Sequence, residues 1–194
     1  VALRRLAVFA GGWTVEAAEA VVAGGPVDEP AVLDLLVSLV EKSLVVPERD
    51  SGRYRLLDTV RHYALERLEA SGESAAVRSR HLAWFLRLAE AASAELVAPA
   101  QAAWLARLDP ERGNFLAAHA WCDLADGGAE AGLRLVRALR RYAVNRGMPG
   151  LAHRMVLEAL ARPGAQARTL ARCRALFDAG QLDSWMGRYA AARG

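Results

Sequence analysis

Side chains suited to acid–base, nucleophilic or metal chemistry are sparse in this 194-residue chain. The four histidines, His62, His81, His119 and His153, are scattered along it. The two cysteines, Cys122 and Cys173, lack zinc spacing and are too few for a disulfide framework, which makes a reduced setting the default. His119 and Cys122 stand one helical turn apart and would place two ligands on one face. Without a second pair of ligands, the expected reading is a packing pair. The carboxylate pairs Asp109/Glu111 and Asp123/Asp126 flank expected helix ends, where solvation and capping account for them. A phosphate-cradling loop needs glycines for close approach and a lysine for charge. The single lysine, Lys42, lies inside a helix-ending Glu-Lys-Ser, and the sequence contains no HExxH, CxxC, GxSxG or GxGxxG. The expectation is a chain with no catalytic residues, no metal and no cofactor.

Charge is more informative. The net +3 hides an asymmetry: residues 1–130 carry 13 basic and 19 acidic side chains, and residues 131–194 carry 12 and 3. No acid stands between Glu130 and Glu158, a stretch that holds Arg134, Arg137, Arg140, Arg141, Arg146 and Arg154. Arg134, Arg137 and Arg141 follow an i, i+3, i+7 spacing and share one helix face. Their planar guanidinium forks suit carboxylates or phosphates, so they are the candidate partner contacts. The other reading of this stripe is a solvated helix face. A second basic group, Arg49, Arg53 and Arg55, is the candidate nucleic-acid contact in an alternative reading.

Helices must carry most of these residues. Ala and Leu supply 69 positions and Ile none, an alphabet that favours helix over sheet. No apolar run is long enough to span a membrane. Leu3, Leu6, Ala7 and Ala10 repeat at helical spacing until Gly11-Gly12. Thr14 is placed to cap a helix over 15–22, and Asp28 to cap one ending near Ser43, with Val32, Leu33, Leu36, Leu39 and Val40 as its buried stripe. The period then shortens from about 3.6 to 2. Residues 44–46 and 54–57 read as two strands joined by a polar turn at Arg49-Asp50-Ser51-Gly52. Asp58 or Thr59 then caps a helix through Leu68, with Val60, Tyr63, Ala64 and Leu68 on one side. Three helices, a hairpin and a closing helix within about 70 residues make the layout of a winged helix, with the hairpin as the wing.

The second helix of that helix-turn-helix is acidic. Residues 28–43 carry Asp28, Glu29, Asp34 and Glu41 against Lys42 alone. Phosphate contacts supply most of the affinity for DNA, and an acidic face opposes them. Nor does the segment hold an Arg, Asn or Gln to read base edges. Direct DNA contact by this unit is therefore not expected, and a packing or hinge module is the better reading.

From residue 73 only helices are predicted, over about 73–96, 100–108, 111–125, 129–146, 150–161, 166–179 and 182–193, with short breaks that imply antiparallel neighbours. Their aromatics, Trp84, Phe85, Trp104, Phe115, Trp121, Tyr142, Phe177 and Trp185, come about once per helix and read as core anchors. Gly180, Gly187, Tyr189 and Ala192 fit a tetratricopeptide pattern, with Asp183 where Tyr is usual. The fold class is thus mainly α: a winged helix over 1–72, then an antiparallel helical-repeat domain over 73–194. Its first residues, Val1-Ala2-Leu3-Arg4-Arg5, resemble neither an initiator nor a signal peptide and read as a cut from a longer polypeptide.

Three runs carry a family resemblance: Leu3-Arg4-Arg5-Leu6-Ala7-Val8-Phe9-Ala10-Gly11-Gly12-Trp13, Leu35-Leu36-Val37-Ser38-Leu39-Val40-Glu41-Lys42-Ser43-Leu44-Val45 and Tyr54-Arg55-Leu56-Leu57-Asp58-Thr59-Val60. They resemble the region after the nucleotide-binding domain of bacterial STAND-class signalling ATPases, which are fused to LuxR-type or SARP DNA-binding domains. Ala103-Trp104-Leu105 and Asn114-Phe115-Leu116-Ala117-Ala118 resemble the helical sensor region of the same proteins. The resemblance implies a cytoplasmic, non-catalytic regulatory fragment of a transcriptional regulator. Its partners would be the ATPase domain of the same polypeptide and a protein or small-molecule inducer, with no membrane contact. His62 stands where Gln is common, and the family's phosphate-binding residues match nothing here.

Overall fold

The structure, a computed structural model, describes residues 1–48, 51–97 and 99–188. Ten α-helices and one hairpin occur among them: α1 (Ala2–Leu6), α2 (Val15–Val22), α3 (Ala31–Glu41), β1 (Val45–Glu48), β2 (Arg53–Leu56), α4 (Asp58–Ala70), α5 (Ser74–Glu95), α6 (Gln101–Leu108), α7 (Arg112–Trp121), α8 (Gly128–Asn145), α9 (Pro149–Ala161) and α10 (Leu170–Trp185). They form two compact units. One comprises Val1–Phe85 with Pro110–Ala118, and the other Leu86–Asp109 with His119–Gly194.

In the first unit, α1 packs on α2, α3 and α4. Thr14 caps α2 as expected, its hydroxyl accepting from the Ala17 amide at 3.4 Å. The strands pair antiparallel, from Val45 opposite Leu56 to Glu48 opposite Arg53. Trp13 extends this ladder by exchanging backbone hydrogen bonds with Tyr54 at 2.8 and 2.9 Å, which ties the wing to the turn before α2. The aromatic core is continuous. Phe9 stacks on Trp13 with centroids 5.2 Å apart, His81 lies 5.3 Å from Phe9 and 4.5 Å from Phe85, and Phe115 meets Phe85 at 5.7 Å.

The boundary read from sequence, between residues 72 and 73, runs through this unit because three later groups complete it. Glu73 answers two arginines of α1, the His81–Phe85 turn of α5 fills the core, and Asn114 of α7 grips the α1–α2 loop. Asn114 is fully buried, accepts from the Ala10 amide at 2.8 Å and donates to the Gly12 carbonyl at 3.0 Å. Gly113 lets the α7 backbone come this close, since a Cβ there would collide with the Ala10 carbonyl.

In the second unit, α8 packs on α9 and α10, and α9 on α10. Gly128 and Gly132 lie one turn apart on α8. A Cβ on Gly128 would strike the Cys122 carbonyl, and one on Gly132 the Arg162 guanidinium. The sequence expectation of two helices over 166–179 and 182–193 is corrected. One helix, α10, begins after Thr169, whose hydroxyl accepts from the Arg172 amide at 3.2 Å, and runs unbroken past Gly180 to Trp185. A lone glycine costs a helix only about 1 kcal/mol relative to alanine, which packing on α8 and α9 outweighs. Tyr189 and Ala192 of the repeat pattern lie outside the described residues.

Candidate functional site

Helix α3 occupies the second position of the helix-turn-helix, and its surface decides what that motif can hold. Only Val32 and Leu36 of its expected stripe are fully buried, at 1% exposure each. Leu33, placed in that stripe by sequence, is instead 44% exposed, with Val37 at 50% and Leu35 at 36%. Residues 32 and 36 face the core one turn apart, so 33 and 37 fall on the next row of the helix, toward solvent. Asp34 and Glu41 are exposed on the same short helix. The outward side of α3 is therefore apolar and acidic. Tyr63 of α4, grouped by spacing on one side with Val60, Ala64 and Leu68, is 50% exposed and lies under the Arg67 guanidinium, whereas Ala64 and Leu68 are buried.

The wing arginines are not one cluster. Arg49 lies outside the described residues. Arg55 is about half exposed, 3.9 Å from the Glu48 carboxylate. Arg53 is buried, its side chain 9% exposed, and its Nη1 donates to Glu111 Oε1. Glu111 in turn accepts from Asn114 Nδ2 at 2.7 Å. This corrects two readings: Arg53 faces inward and does not present its charge to a phosphate, and Glu111 is a buried ion-pair partner, not a solvated helix end. Sequence reasoning missed Asn114 as a structural centre because its partners are 3, 33 and about a hundred residues away.

Arg4 and Arg5 of α1 converge on Glu73 at 2.9 and 2.6 Å. Arg5 also donates to the carbonyls of Val22 and Gly24. Hydrogen bonds from Arg5 and then Arg4 hold the Glu73 carboxyl at about 2, well below the ordinary carboxylate range. Burial pushes His81 down to about 4 against the weak help of Asn114 Oδ1 at 3.4 Å, so His81 is a neutral core residue near pH 7.

In the second unit, the stripe on α8 splits. Arg134 makes a bidentate pair with Glu90 at 2.8 and 2.9 Å. Arg137 donates to both oxygens of Asp178 at 2.8 Å, and Arg140 approaches the same carboxylate at 3.1 Å. Asp178 is fully buried, and these two arginines neutralise it. Arg141 is exposed and makes no ion pair among the described residues. Arg134 and Arg137 line a depression of about 330 Å³ with Glu90, Glu130, Leu133 and Arg174. Two of the three stripe residues are thus engaged within their own unit.

The remaining histidines are also engaged. His119 Nε2 lies 3.0 Å from Glu158, and Arg162 donates to the His119 carbonyl at 2.7 Å and to Asp123 at 2.6 Å. Burial, then the Arg162 charge, lowers the His119 pKa. Burial pushes the Cys122 thiol up to about 11, leaving it protonated and inert. His153 Nε2 sits 3.0 Å from Asp183. Among the described residues no group of three or more His, Cys, Asp or Glu side chains is placed to hold a metal ion. No described helix is long and apolar enough to cross a membrane. The expectation that every aromatic anchors the core fails at Phe177 and Trp185 of α10, which are 60% and 57% exposed.

Residues 2–69 match the family model described as a winged helix-turn-helix domain. The chain is 39% identical, in an alignment of 194 positions that covers 96% of its length, to a protein of Mycobacterium tuberculosis strain H37Rv named as a candidate HTH-type transcriptional regulator, and equally to its counterpart in Mycobacterium bovis. An uncharacterized protein of Mycobacterium tuberculosis H37Rv is 49% identical over 85 residues, 41% of this chain and 21% of that protein. The chain spans about a fifth of the length of the relatives it matches. No solved structure matches. The sequence matches and the helix–hairpin order agree: residues 2–69 form a winged helix-turn-helix domain, followed by a helical domain, in a chain homologous to part of these mycobacterial proteins.

Proposed function

We propose that this chain is the non-catalytic regulatory part of a cytoplasmic transcriptional regulator, in which the winged helix grips protein rather than DNA. The observation that carries this reading is the outward side of α3, where Leu33, Leu35 and Val37 are exposed beside Asp34 and Glu41. A duplex carries one negative charge per about 1.7 Å of axis, and this helix offers no arginine to neutralise it. An apolar row rimmed by carboxylates suits a protein surface with its own apolar patch and basic rim. By resemblance to STAND-class regulators, that surface belongs to the ATPase domain of the same polypeptide. The helical part, with its tetratricopeptide-like pattern, receives the protein or small-molecule inducer.

The test uses the full-length protein that contains this chain. Leu33→Asp with Val37→Asp removes the apolar row without touching the buried Val32 and Leu36. Nucleotide exchange by the ATPase domain is expected to change; unchanged exchange with normal folding refutes the coupling. A gel-shift titration against salt covers the nucleic-acid reading. A steep negative slope that disappears on Arg55→Glu would establish the wing as a phosphate contact instead.

A further inference from the structure

The second unit holds a further concavity, beyond the depression lined by the paired Arg134 and Arg137. It measures about 320 Å³ and is lined by Gln101 of α6, Arg140, Arg141 and Asn145 of α8, and Gln181 and Trp185 of α10. Its volume falls at the lower end of the range for ligand sites. No carboxylate lines it among the described residues. We infer that this groove binds an acidic peptide segment of a partner protein, with a carboxylate on Arg141, the peptide backbone on the amide side chains, and an apolar side chain on Trp185.

Three features lead there. The first is charge. Arg137 and Arg140 share the single buried carboxylate of Asp178, and Arg141 has no acidic partner among the described residues. Of the two cations that line the groove, Arg140 is partly neutralised by Asp178 and Arg141 is not, which leaves an excess of more than one positive charge, enough for one carboxylate. A nucleic-acid strand needs a longer track of cations than this.

The second is the hydrogen-bonding sense of the amides. Gln181 Oε1 accepts from Arg140 Nη1 at 2.7 Å, which leaves its NH₂ to donate. Gln101 Nε2 donates to the Leu96 carbonyl at 2.9 Å, which leaves its oxygen to accept. Asn145, exposed, offers both. A peptide backbone presents donors and acceptors alternately and matches this set, whereas phosphate oxygens call only for donors.

The third is Trp185, a residue 57% exposed, with the Arg140 guanidinium carbon 5.7 Å from the centre of its ring. The cation fixes one side of the ring, and the rest remains a broad apolar surface. Tryptophan in such a position is the residue most often found to dominate a protein contact.

The inference rests on the proposed role of the helical part as receiver of a partner, but its test is separate. Fluorescence anisotropy on the 194-residue protein would use a set of labelled, blocked hexapeptides that vary the spacing of two Asp or Glu residues and one Phe or Leu. Lysine-for-acid counterparts and a short oligo-thymidylate complete the set. At least one acidic member is expected to bind about tenfold or more tightly than its lysine counterpart. Arg141→Glu and Trp185→Ala should each weaken it about tenfold; both side chains are exposed, so folding is preserved. Arg134→Glu, the same charge change outside the groove, should alter it less than about twofold.

Three results overturn the inference. One is no acidic peptide ahead of its lysine form. Another is equal loss from Arg134→Glu. The third is an oligonucleotide that outcompetes every peptide and is itself lost with Arg141→Glu, which would make the groove a single-strand site. Nucleotide exchange in the full-length protein is independent of all three.

Discussion

Replacing Glu111 by leucine should unbalance the wing more than its place at a helix boundary suggests. The Glu111 side chain is 6% exposed and its Arg53 partner 9%, so neither charge can turn to water. Glu111→Leu leaves the guanidinium with one remaining carboxylate, Glu48, at 3.9 Å and 35% exposed. It also removes the acceptor that Asn114 Nδ2 meets at 2.7 Å. Breaking one side of a buried pair costs about 3–5 kcal/mol, most of it the penalty of a stranded charge. The double variant Arg53→Met/Glu111→Leu strands no charge and should recover most of that loss, because desolvating both ions offsets their attraction. A remaining loss of about 1–3 kcal/mol is expected from the buried Asn114 N–H left without its Glu111 acceptor. Urea unfolding of the parent, the two single variants and the double variant closes the cycle. A loss below about 1 kcal/mol for Glu111→Leu would show that water reaches the pair. A double variant as weak as the single would show that packing, not charge, was lost. The first result refutes the burial argument that withdraws Arg53 from nucleic-acid contact, and the second refutes the assignment of the cost to a stranded charge.

Three further outcomes are expected. His81, held at about 4 against an ordinary 6.5, binds fewer protons in the folded than in the unfolded state between those values. Stability should therefore fall as pH drops from about 6.5 to 4, by on the order of 3 kcal/mol in full. The arginines Arg78 and Arg61 face His81 and oppose its protonation further, while Glu73, at about 2, keeps its ion pairs through that window and loses them only below it. His81→Phe should flatten the urea midpoint across pH 4–6.5, and an unchanged slope would remove His81 as the cause. Iodoacetamide followed by mass spectrometry should modify exposed Cys173 at least about a hundredfold faster than Cys122, whose thiol is buried and raised to about 11; comparable rates would mean the α7 end opens readily. Gly113→Ala should destabilise by about 1–3 kcal/mol through collision with the Ala10 carbonyl, whereas Gly150→Ala, with open space around its Cβ, should be neutral or stabilising by up to about 1 kcal/mol in the same thermal unfolding assay.

Local periodicity made the element order legible. The switch from a period of 3.6 to 2 at Leu44 located the hairpin, and Thr14 marked a true cap. Strand bounds shifted by a residue or two, since the ends of Val45–Glu48 and Arg53–Leu56 depend on pairing across the ladder. The acidic balance of residues 28–43, on which the expectation of no phosphate contact rests, was legible at once, because charge can be counted without coordinates. The side-chain assignments on α3 and α4 were less secure. A short amphipathic helix leaves neighbouring rows ambiguous by about 100° per residue, and Leu33 and Tyr63 fell on the wrong side of that margin.

What the sequence determined by itself was composition, period and sign: a helical chain with one hairpin and a divided charge. Those properties are local or additive. Tertiary structure alone decided which charges are available. Arg53 and Arg55 are two residues apart, yet one is buried against Glu111 and the other half exposed. On α8, Arg137 neutralises Asp178, forty-one residues later, while Arg141, one turn further along, stays open in the Trp185 groove. The reason is that a guanidinium's availability depends on the carboxylate packed against it, and that neighbour is chosen by the fold rather than by spacing along the chain.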